Sequence, residues 1–245
     1  MKKINGMKNL VLALTLFLAL ASCKQEKEVP KVRYSSEKKD SKPIIDSADL
    51  QVSDLPIEFP NTDVLVFPVG NVNFVSRDSK IGSETSSKSY STQSFNVSNY
   101  NDFEITGYLT NLKFQKQNTD SLEVLTNKSL LIESVTYLKN FADKSNKKIL
   151  LYSLADADTN QDNAIDQDDI KSIYASDIYG KGFQKLSPDL QEVIDWNVLE
   201  GIKRLYFRTI EDFNKNGAFD AKDKVHYFYV DLMQKELKAV EYKPI

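Results

Sequence analysis

The sequence has very little of the chemistry on which most catalytic sites and covalent cross-links depend. It contains one cysteine, Cys23, so an intramolecular disulfide is excluded, and one histidine, His226. Zinc hydrolases and redox enzymes need clusters of these residue types, which this chain does not have. The glycine patterns of Walker and dinucleotide-binding loops are also missing from the sequence. These absences argue against several large classes of enzyme.

The remaining candidates for a catalytic or binding site are the single histidine, the acidic residues and the aromatic residues. A serine or cysteine triad would need His226, which lies in the strand-like run 225–230 with no nucleophile motif beside it, so we favour a structural or surface role. A carboxylate-based glycosidase stays open, because acidic residues are abundant and Asp195 adjoins Trp196, a ring that could stack on a sugar. For Trp196 we favour the core or a strand edge. Tyr227 and Tyr229 could form a binding patch, although strand alternation favours packing of one face in the core.

Two runs of twelve residues place oxygen-bearing side chains at the same positions. Loop 1 is 158–169 (DTNQDNAIDQDD) and loop 2 is 212–223 (DFNKNGAFDAKD). Positions 1, 3, 5, 9 and 12 offer side-chain oxygens, position 7 offers a backbone carbonyl, and position 8 points inward. The ligands assigned by this spacing are Asp158, Asn160, Asp162, Ala164, Asp166 and Asp169 in loop 1, and Asp212, Asn214, Asn216, Ala218, Asp220 and Asp223 in loop 2. The spacing predicts two calcium sites.

Position 6 of such a loop needs a left-handed backbone, which Gly217 supplies and Asn163 tolerates. Loop 1 has four carboxylates among its ligands and loop 2 has three, so charge favours the first site while the glycine favours the second. The order of their affinities is therefore left open. Polar turns without an ion are the alternative explanation, and two matched copies weigh against it.

The two runs resemble the calcium loops of EF-hand proteins, and more closely those of dockerin modules. Their flanks differ from both families, because 149–154, 203–210 and 224–231 are rich in β-branched and aromatic residues and alternate as strands do. This context resembles the cation loops of integrin-type propeller repeats, in which each ion site lies in a β-hairpin. The resemblance implies ions that stabilise the fold, since no flanking helices are available to change their angle as in a sensor. A dockerin that binds a cohesin is disfavoured for the same reason.

An internal repeat extends beyond the loops, which begin 54 residues apart. One copy, at about 129–187, predicts strands at 129–138, 149–155, 170–177 and 182–187. The other, at about 193–242, predicts strands at 193–199, 203–210, 224–232 and 236–242. A hairpin at 112–126 resembles the last hairpin of a third copy, and the hairpins together resemble those of Tol-type propellers. We predict an all-β, antiparallel, propeller-like fold, in which ring closure would need a degenerate fourth blade that includes 63–69. A helix at 129–141 is an alternative for that segment.

The beginning of the chain has the pattern of a bacterial lipoprotein. Three lysines precede an apolar stretch from Leu10 to Ala21, which is too short to span a bilayer and is typical of a signal peptide. The box Leu20-Ala-Ser-Cys23 resembles the lipoprotein cleavage site, which implies that Cys23 is acylated. Lys24 after the cysteine implies sorting to the outer membrane, and residues 25–28 resemble the surface-export tag of Bacteroidota lipoproteins. The lipoprotein would therefore face either the periplasm or the cell surface.

Charge distribution separates a tether from an acidic body. Residues 24–42 carry seven Lys or Arg and four Asp or Glu with almost no apolar content, which predicts a solvated tether. The formal net charge of −3 becomes −6 without the three lysines of the signal peptide, and about −9 for residues 43–245. Such a body should not bind nucleic acid through phosphates. The predicted organisation is a signal peptide at 1–22, a lipidated cysteine and tether at 23–49, and one β-repeat domain at 50–245.

Two functions from different classes follow from these observations. The favoured one is a calcium-stabilised, non-catalytic lipoprotein that is anchored in the outer-membrane leaflet through Cys23 and presents a recognition surface to an unidentified protein or glycan. The alternative is a surface carbohydrate-active enzyme, a glycoside hydrolase or lyase that uses a carboxylate pair.

Overall fold

A computed structural model describes residues 30–34, 49–73 and 97–245, and its secondary structure is almost entirely antiparallel β. The signal peptide and Cys23 lie outside the described residues. One short helix, α1, interrupts the strands. The elements are β1 Asp49–Ser53, β2 Ile57–Glu58, β3 Val64–Asn73, β4 Ser98–Asn101, β5 Glu104–Leu109, β6 Asn111–Lys116, β7 Leu122–Val124, β8 Leu131–Tyr137, α1 Lys139–Ser145, β9 Ile149–Ala155, β10 Lys171–Asp177, β11 Gln184–Lys185, β12 Gln191–Leu199, β13 Arg204–Glu211, β14 Lys224–Asp231 and β15 Ala239–Tyr242.

The strands form three antiparallel sheets, which confirms the predicted all-β class. Sheet 1 has the order β1-β3-β6-β7 with β2 on β3, sheet 2 the order β11-β10-β9-β8-β5-β4, and sheet 3 the order β12-β13-β14-β15. Sheet 3 is a four-stranded unit made of the second predicted repeat. The strands of the first repeat lie in sheet 2, where β8 also pairs with β5 and so joins that repeat to upstream strands. The predicted 112–126 hairpin pairs through β6 with β3 in sheet 1.

Sheet 2 is the central layer, and its strand β9 is buried on both faces. Leu150, Tyr152 and Leu154 pack in a core shared with sheet 1, whereas Ile149 and Leu151 pack in a second core shared with sheet 3. Alternate side chains of a strand point to opposite faces, so one short apolar run supplies both cores. The hydroxyl of Tyr152 lies 2.6 Å from Ser176 Oγ, which satisfies its polar atom within the core.

The two predicted calcium loops lie at the tips of β-hairpins. Loop 1 joins β9 to β10, which pair as far as Ala155 and Lys171. Loop 2 joins β13 to β14, which pair as far as Glu211 and Lys224, the residues that directly flank the loop. In the segment for which a helix was the alternative, strand β8 forms and is followed directly by α1. Within the described residues, no helix is long and apolar enough to cross a membrane.

The hairpin between β10 and β11 turns at Gly180 and Gly182, two glycines of the kind that mark turns, with φ of 78° and 68°. A Cβ at Gly180 would lie 2.5 Å from Cε2 of the buried Phe114 ring, whereas a Cβ at Gly182 would meet nothing within 4 Å. We expect Gly180→Ala to lower the free energy of unfolding by about 3 kcal/mol, through left-handed strain and overpacking. The matched Gly182→Ala should cost about 1 kcal/mol, from strain alone. Urea unfolding measures both, and equal losses would contradict the packing of Phe114.

Candidate metal centres

In loop 1 the assigned side chains organise the backbone around themselves. The Asp158 carboxylate accepts hydrogen bonds from the amides of Asp162 and Asn163 at 3.1 and 2.9 Å. The Asp169 carboxylate accepts from the amides of Thr159 and Asp166 at 2.6 and 2.9 Å. Asp158 therefore accepts two amides across the loop, and Asp169 accepts three, because the Asn160 amide also donates to it at 3.3 Å. Asn160 Oδ1 and Asp162 Oδ1 accept hydrogen bonds from the amides two residues ahead, at 3.0 and 2.9 Å.

Loop 2 repeats this network at matching positions, except for the bond from the amide of position 3 to position 12. The Asp212 carboxylate accepts from the amides of Asn216 and Gly217 at 3.1 and 2.7 Å. The Asp223 carboxylate accepts from the amides of Phe213 and Asp220 at 3.1 and 2.8 Å. The bonds between residues two apart also recur, because Asn214 Oδ1 and Asn216 Oδ1 accept from the amides two residues ahead. The two loops thus adopt one backbone course although they differ at all six non-ligand positions.

The backbone angles of the loops agree as well. Position 6 has φ of 75° at Asn163 and 84° at Gly217, which is the left-handed turn predicted there. Position 4 is left-handed too, at Gln161 and Lys215, with φ of 59° and 58°. The side chains at position 8, Ile165 and Phe219, are half-buried. The sequence did not indicate the second left-handed residue, because neither Gln nor Lys favours that conformation.

Two carboxylates of loop 1 lie in surroundings that disfavour their charge. Burial raises the pKa of Asp166, and the charges of Asp162, Asp168 and Asp158 raise it further. Burial also raises the pKa of Asp169, although backbone amides donate to its carboxylate. Asp169 and Asp212 are fully or almost fully buried, with 0% and 3% of their surface exposed. A divalent cation among these oxygens would offset the repulsion between them.

The donor set and the backbone course fit a calcium ion, but the acidic side chains cannot supply all of its ligands. Across residues 30–34, 49–73 and 97–245, no three His, Cys, Asp or Glu side chains are grouped so that they could hold a metal by themselves. Asn side chains and the carbonyls of Ala164 and Ala218 complete the assigned sets, as oxygen-only coordination allows. The fit therefore rests on oxygen donors at six matched positions of two matched loops.

Residues 30–34, which we name the bridging segment, connect the two loops. The amides of Lys31 and Val32 donate to the Gly217 carbonyl at 2.8 and 3.4 Å, and the amide of Arg33 donates to the Thr159 carbonyl at 3.0 Å. Val32 is only 3% exposed. The segment falls within the stretch assigned to the solvated tether, and these five residues instead pack against the body. A single valine among charged residues gave no signal of this contact.

Two side-chain contacts fix the ends of the bridging segment. Lys31 Nζ lies 3.1 Å from Glu192 Oε1, a carboxylate whose other oxygen accepts the Lys171 amide. At the other end, Lys215 Nζ lies 5.8 Å from the centre of the Tyr34 ring. Burial raises the pKa of Tyr34 to about 12, helped by the nearby Asp212 carboxylate. The segment thus interacts with both loops and with the start of sheet 3.

The candidates for catalysis have structural partners. His226 is buried, and its Nδ1 and Nε2 lie 2.8 Å from Glu241 Oε1 and Glu211 Oε2, so both ring nitrogens are engaged. Asp195 is exposed and forms a two-pronged ion pair with the Arg208 guanidinium, which holds the pKa of Asp195 below its usual range. Trp196 lies on β12, at the edge of sheet 3, and is one-third exposed.

Four tyrosines form a cluster on the outer face of sheet 3. Tyr206 lies opposite Tyr229, and Tyr227 opposite Tyr242, with ring centroids 6.0 Å apart in each pair. Phe207, next to Tyr206, and Phe228, between Tyr227 and Tyr229, are buried in the core. The alternation predicted for this sheet is present, and it places Tyr227 and Tyr229 on the side away from the core. We name Tyr206, Tyr227, Tyr229 and Tyr242 the tyrosine face.

Comparison of the chain with protein-family models, with curated proteins and with solved structures finds no match.

Proposed function

We propose that this protein is a calcium-binding lipoprotein of the bacterial outer membrane, whose β-sheet body is a non-catalytic binding module. Two calcium ions would be held by the assigned residues of loops 1 and 2, and would stabilise the hairpins that carry them. Acylation of Cys23 would anchor the chain in the membrane leaflet, facing the periplasm or the cell surface. The partner would be a protein or a glycan, and nucleic acid is not expected.

The observation that carries the calcium proposal is the set of hydrogen bonds that the two loops share at matching positions. Asp158 and Asp212 bind the amides of positions 5 and 6, and Asp169 and Asp223 bind those of positions 2 and 9. Polar turns chosen only for solubility have no reason to share every one of these bonds. Oxygen ligands at those positions are the donors that calcium takes.

A non-catalytic role is supported by the surroundings of the two strongest catalytic candidates. A general acid at a glycosidic bond needs a raised pKa, whereas Arg208 lowers that of Asp195. His226 has a carboxylate at each ring nitrogen, which suits a residue that holds β13, β14 and β15 together. We therefore assign structural roles to Asp195 and His226.

The tyrosine face is the surface that best suits recognition. Tyrosine combines a broad apolar ring with a hydroxyl, and it is enriched where proteins bind partners. The Arg204 guanidinium stacks over Tyr229 at 4.3 Å from the ring centre, and the Asp195–Arg208 pair lies beside Tyr227. A protein surface or a sugar could use such a mixture of rings and polar groups.

The membrane anchor is tested by metabolic labelling with a fatty acid in a Gram-negative host. The wild-type chain should incorporate the label and sediment with outer membranes. Cys23→Ser should lose the label completely and should be released from that fraction, because no other cysteine is present to be acylated. A labelled Cys23→Ser chain would refute the lipoprotein assignment.

A further inference from the structure

The bridging segment binds the loops at atoms that calcium would not use. Its amides donate to the carbonyls of Thr159 and Gly217, which are positions 2 and 6, whereas the ligand carbonyls belong to Ala164 and Ala218 at position 7. The same segment can therefore remain bound when the loops hold ions. Docking and coordination use separate oxygens of the same two loops.

The fit between the segment and loop 2 depends on the shape of the loop. A Cβ at Gly217 would lie 2.7 Å from the Val32 carbonyl oxygen and 2.8 Å from Pro30 Cβ. The segment thus lies directly against the left-handed turn that the calcium loop requires at position 6. Any change in that turn changes the surface on which residues 30–34 lie.

Thr159 links the segment to a proposed ligand in loop 1. Its hydroxyl oxygen lies 2.8 Å from the Lys31 carbonyl oxygen and 3.1 Å from Asp169 Oδ1, so one proton has two competing acceptors. The same oxygen accepts the Ile170 amide at 3.0 Å. A cation held by Asp169 would make that carboxylate a weaker competitor and leave the proton to Lys31. Occupation of loop 1 would therefore strengthen its bond to the bridging segment.

We propose that the two calcium loops together form a docking site for the chain's own bridging segment, and that calcium stabilises the docked state. This inference rests on the proposed calcium function. Because the segment contacts both loops, its docking also couples the two ion sites, and by reciprocity anything that undocks it weakens calcium binding.

Docking has a consequence for a lipid-anchored chain. Pro30 is seven residues from Cys23, so a docked segment keeps the body within about 25 Å of the anchor, even with the connection fully extended. When the segment is undocked, β1 begins 26 residues after Cys23, and the greatest distance that this connection can span is about 90 Å. Calcium would thus set how far the body can lie from the membrane.

The test is cleavage by trypsin after Lys31 and Arg33, which both lie in the bridging segment. The full chain, purified in detergent, is digested briefly in calcium and in chelator, and an isotope-labelled peptide of residues 29–36 is added as the reference for protease activity. With calcium at tenfold its dissociation constant, we expect cleavage of the protein, relative to the peptide, to be about tenfold slower than in chelator. Equal relative rates, in a sample shown by dialysis to bind two ions, overturn the docking proposal and leave the calcium function standing. If dialysis shows no ion uptake, both proposals fail.

Substitution of Val32 separates docking from metal binding. Val32→Asp should remove the calcium-dependent protection while two ions still bind, more weakly, because no ligand is changed. Val32→Ala should give a smaller loss in the same direction. Leu55→Asp, at a residue that is 80% exposed and outside the segment, is the control and should keep full protection. Persistent protection in Val32→Asp would contradict the proposal.

Discussion

Asp158→Ala and Asp212→Ala are each expected to remove one calcium ion and about 1.4 kcal/mol of calcium-dependent stability. This value is the stabilisation from one site at a free calcium concentration tenfold above its dissociation constant. Each carboxylate also accepts two backbone amides, so each variant will lose some stability without calcium. The informative quantity is the difference between the free energies of unfolding in calcium and in chelator, measured with urea.

Asp168→Ala is the matched control for loss of charge. Asp168 is at position 11 of loop 1, is exposed, and is not an assigned ligand. It should keep two ions and the full calcium-dependent stabilisation. If Asp168→Ala loses as much of that stabilisation as Asp158→Ala, the effect is one of general charge and the ligand assignment is wrong.

Phe207→Ala is expected to lower the free energy of unfolding by about 3 to 5 kcal/mol, a large part of the stability of a typical domain. Phe207 is 2% exposed, stacks on Phe228 with ring centroids 5.1 Å apart, and fills the core between sheets 2 and 3. Its removal leaves a cavity that the two sheets cannot fully close. Because β13 and β14 carry loop 2, calcium binding at that loop should weaken together with the packing.

Phe213→Ala is the same chemical change at a side chain that is 69% exposed. Measured in chelator, it should alter the free energy of unfolding by no more than about 0.5 kcal/mol. A loss below about 1 kcal/mol for Phe207→Ala would mean that sheet 3 does not pack on sheet 2 as described.

The sequence predicted the local structure of the second half well, because its signals are local. Apolar alternation along β13 and β14 indicates strands, and Gly180 and Gly182 mark a turn. The pairing of β8 with β5 was missed, and with it the continuity of sheet 2, because the choice of a strand partner depends on packing between distant segments. Helix α1 was missed for a related reason, since seven residues without a side-chain cap give a weak pattern.

At the candidate site, the left-handed turn at position 6 and the loops that carry the proposed ligands could be predicted from the residues. The role of Thr159 could not be predicted, because the sequence does not show which group accepts a hydrogen bond from a threonine at position 2. The bridging segment was hidden by composition, since its neighbours are mostly charged and polar and only Val32 is buried. Burial of this valine depends on contacts with two loops that are far away in the chain.

Calcium binding by the two loops can be measured by equilibrium dialysis of the full chain, purified in detergent and freed of metal, against radioactive calcium. We expect saturation at two ions per chain, with dissociation constants of about 0.1 to 1 mM, as is typical of extracellular sites. Absence of specific uptake at concentrations tenfold above that range would refute calcium binding by both loops.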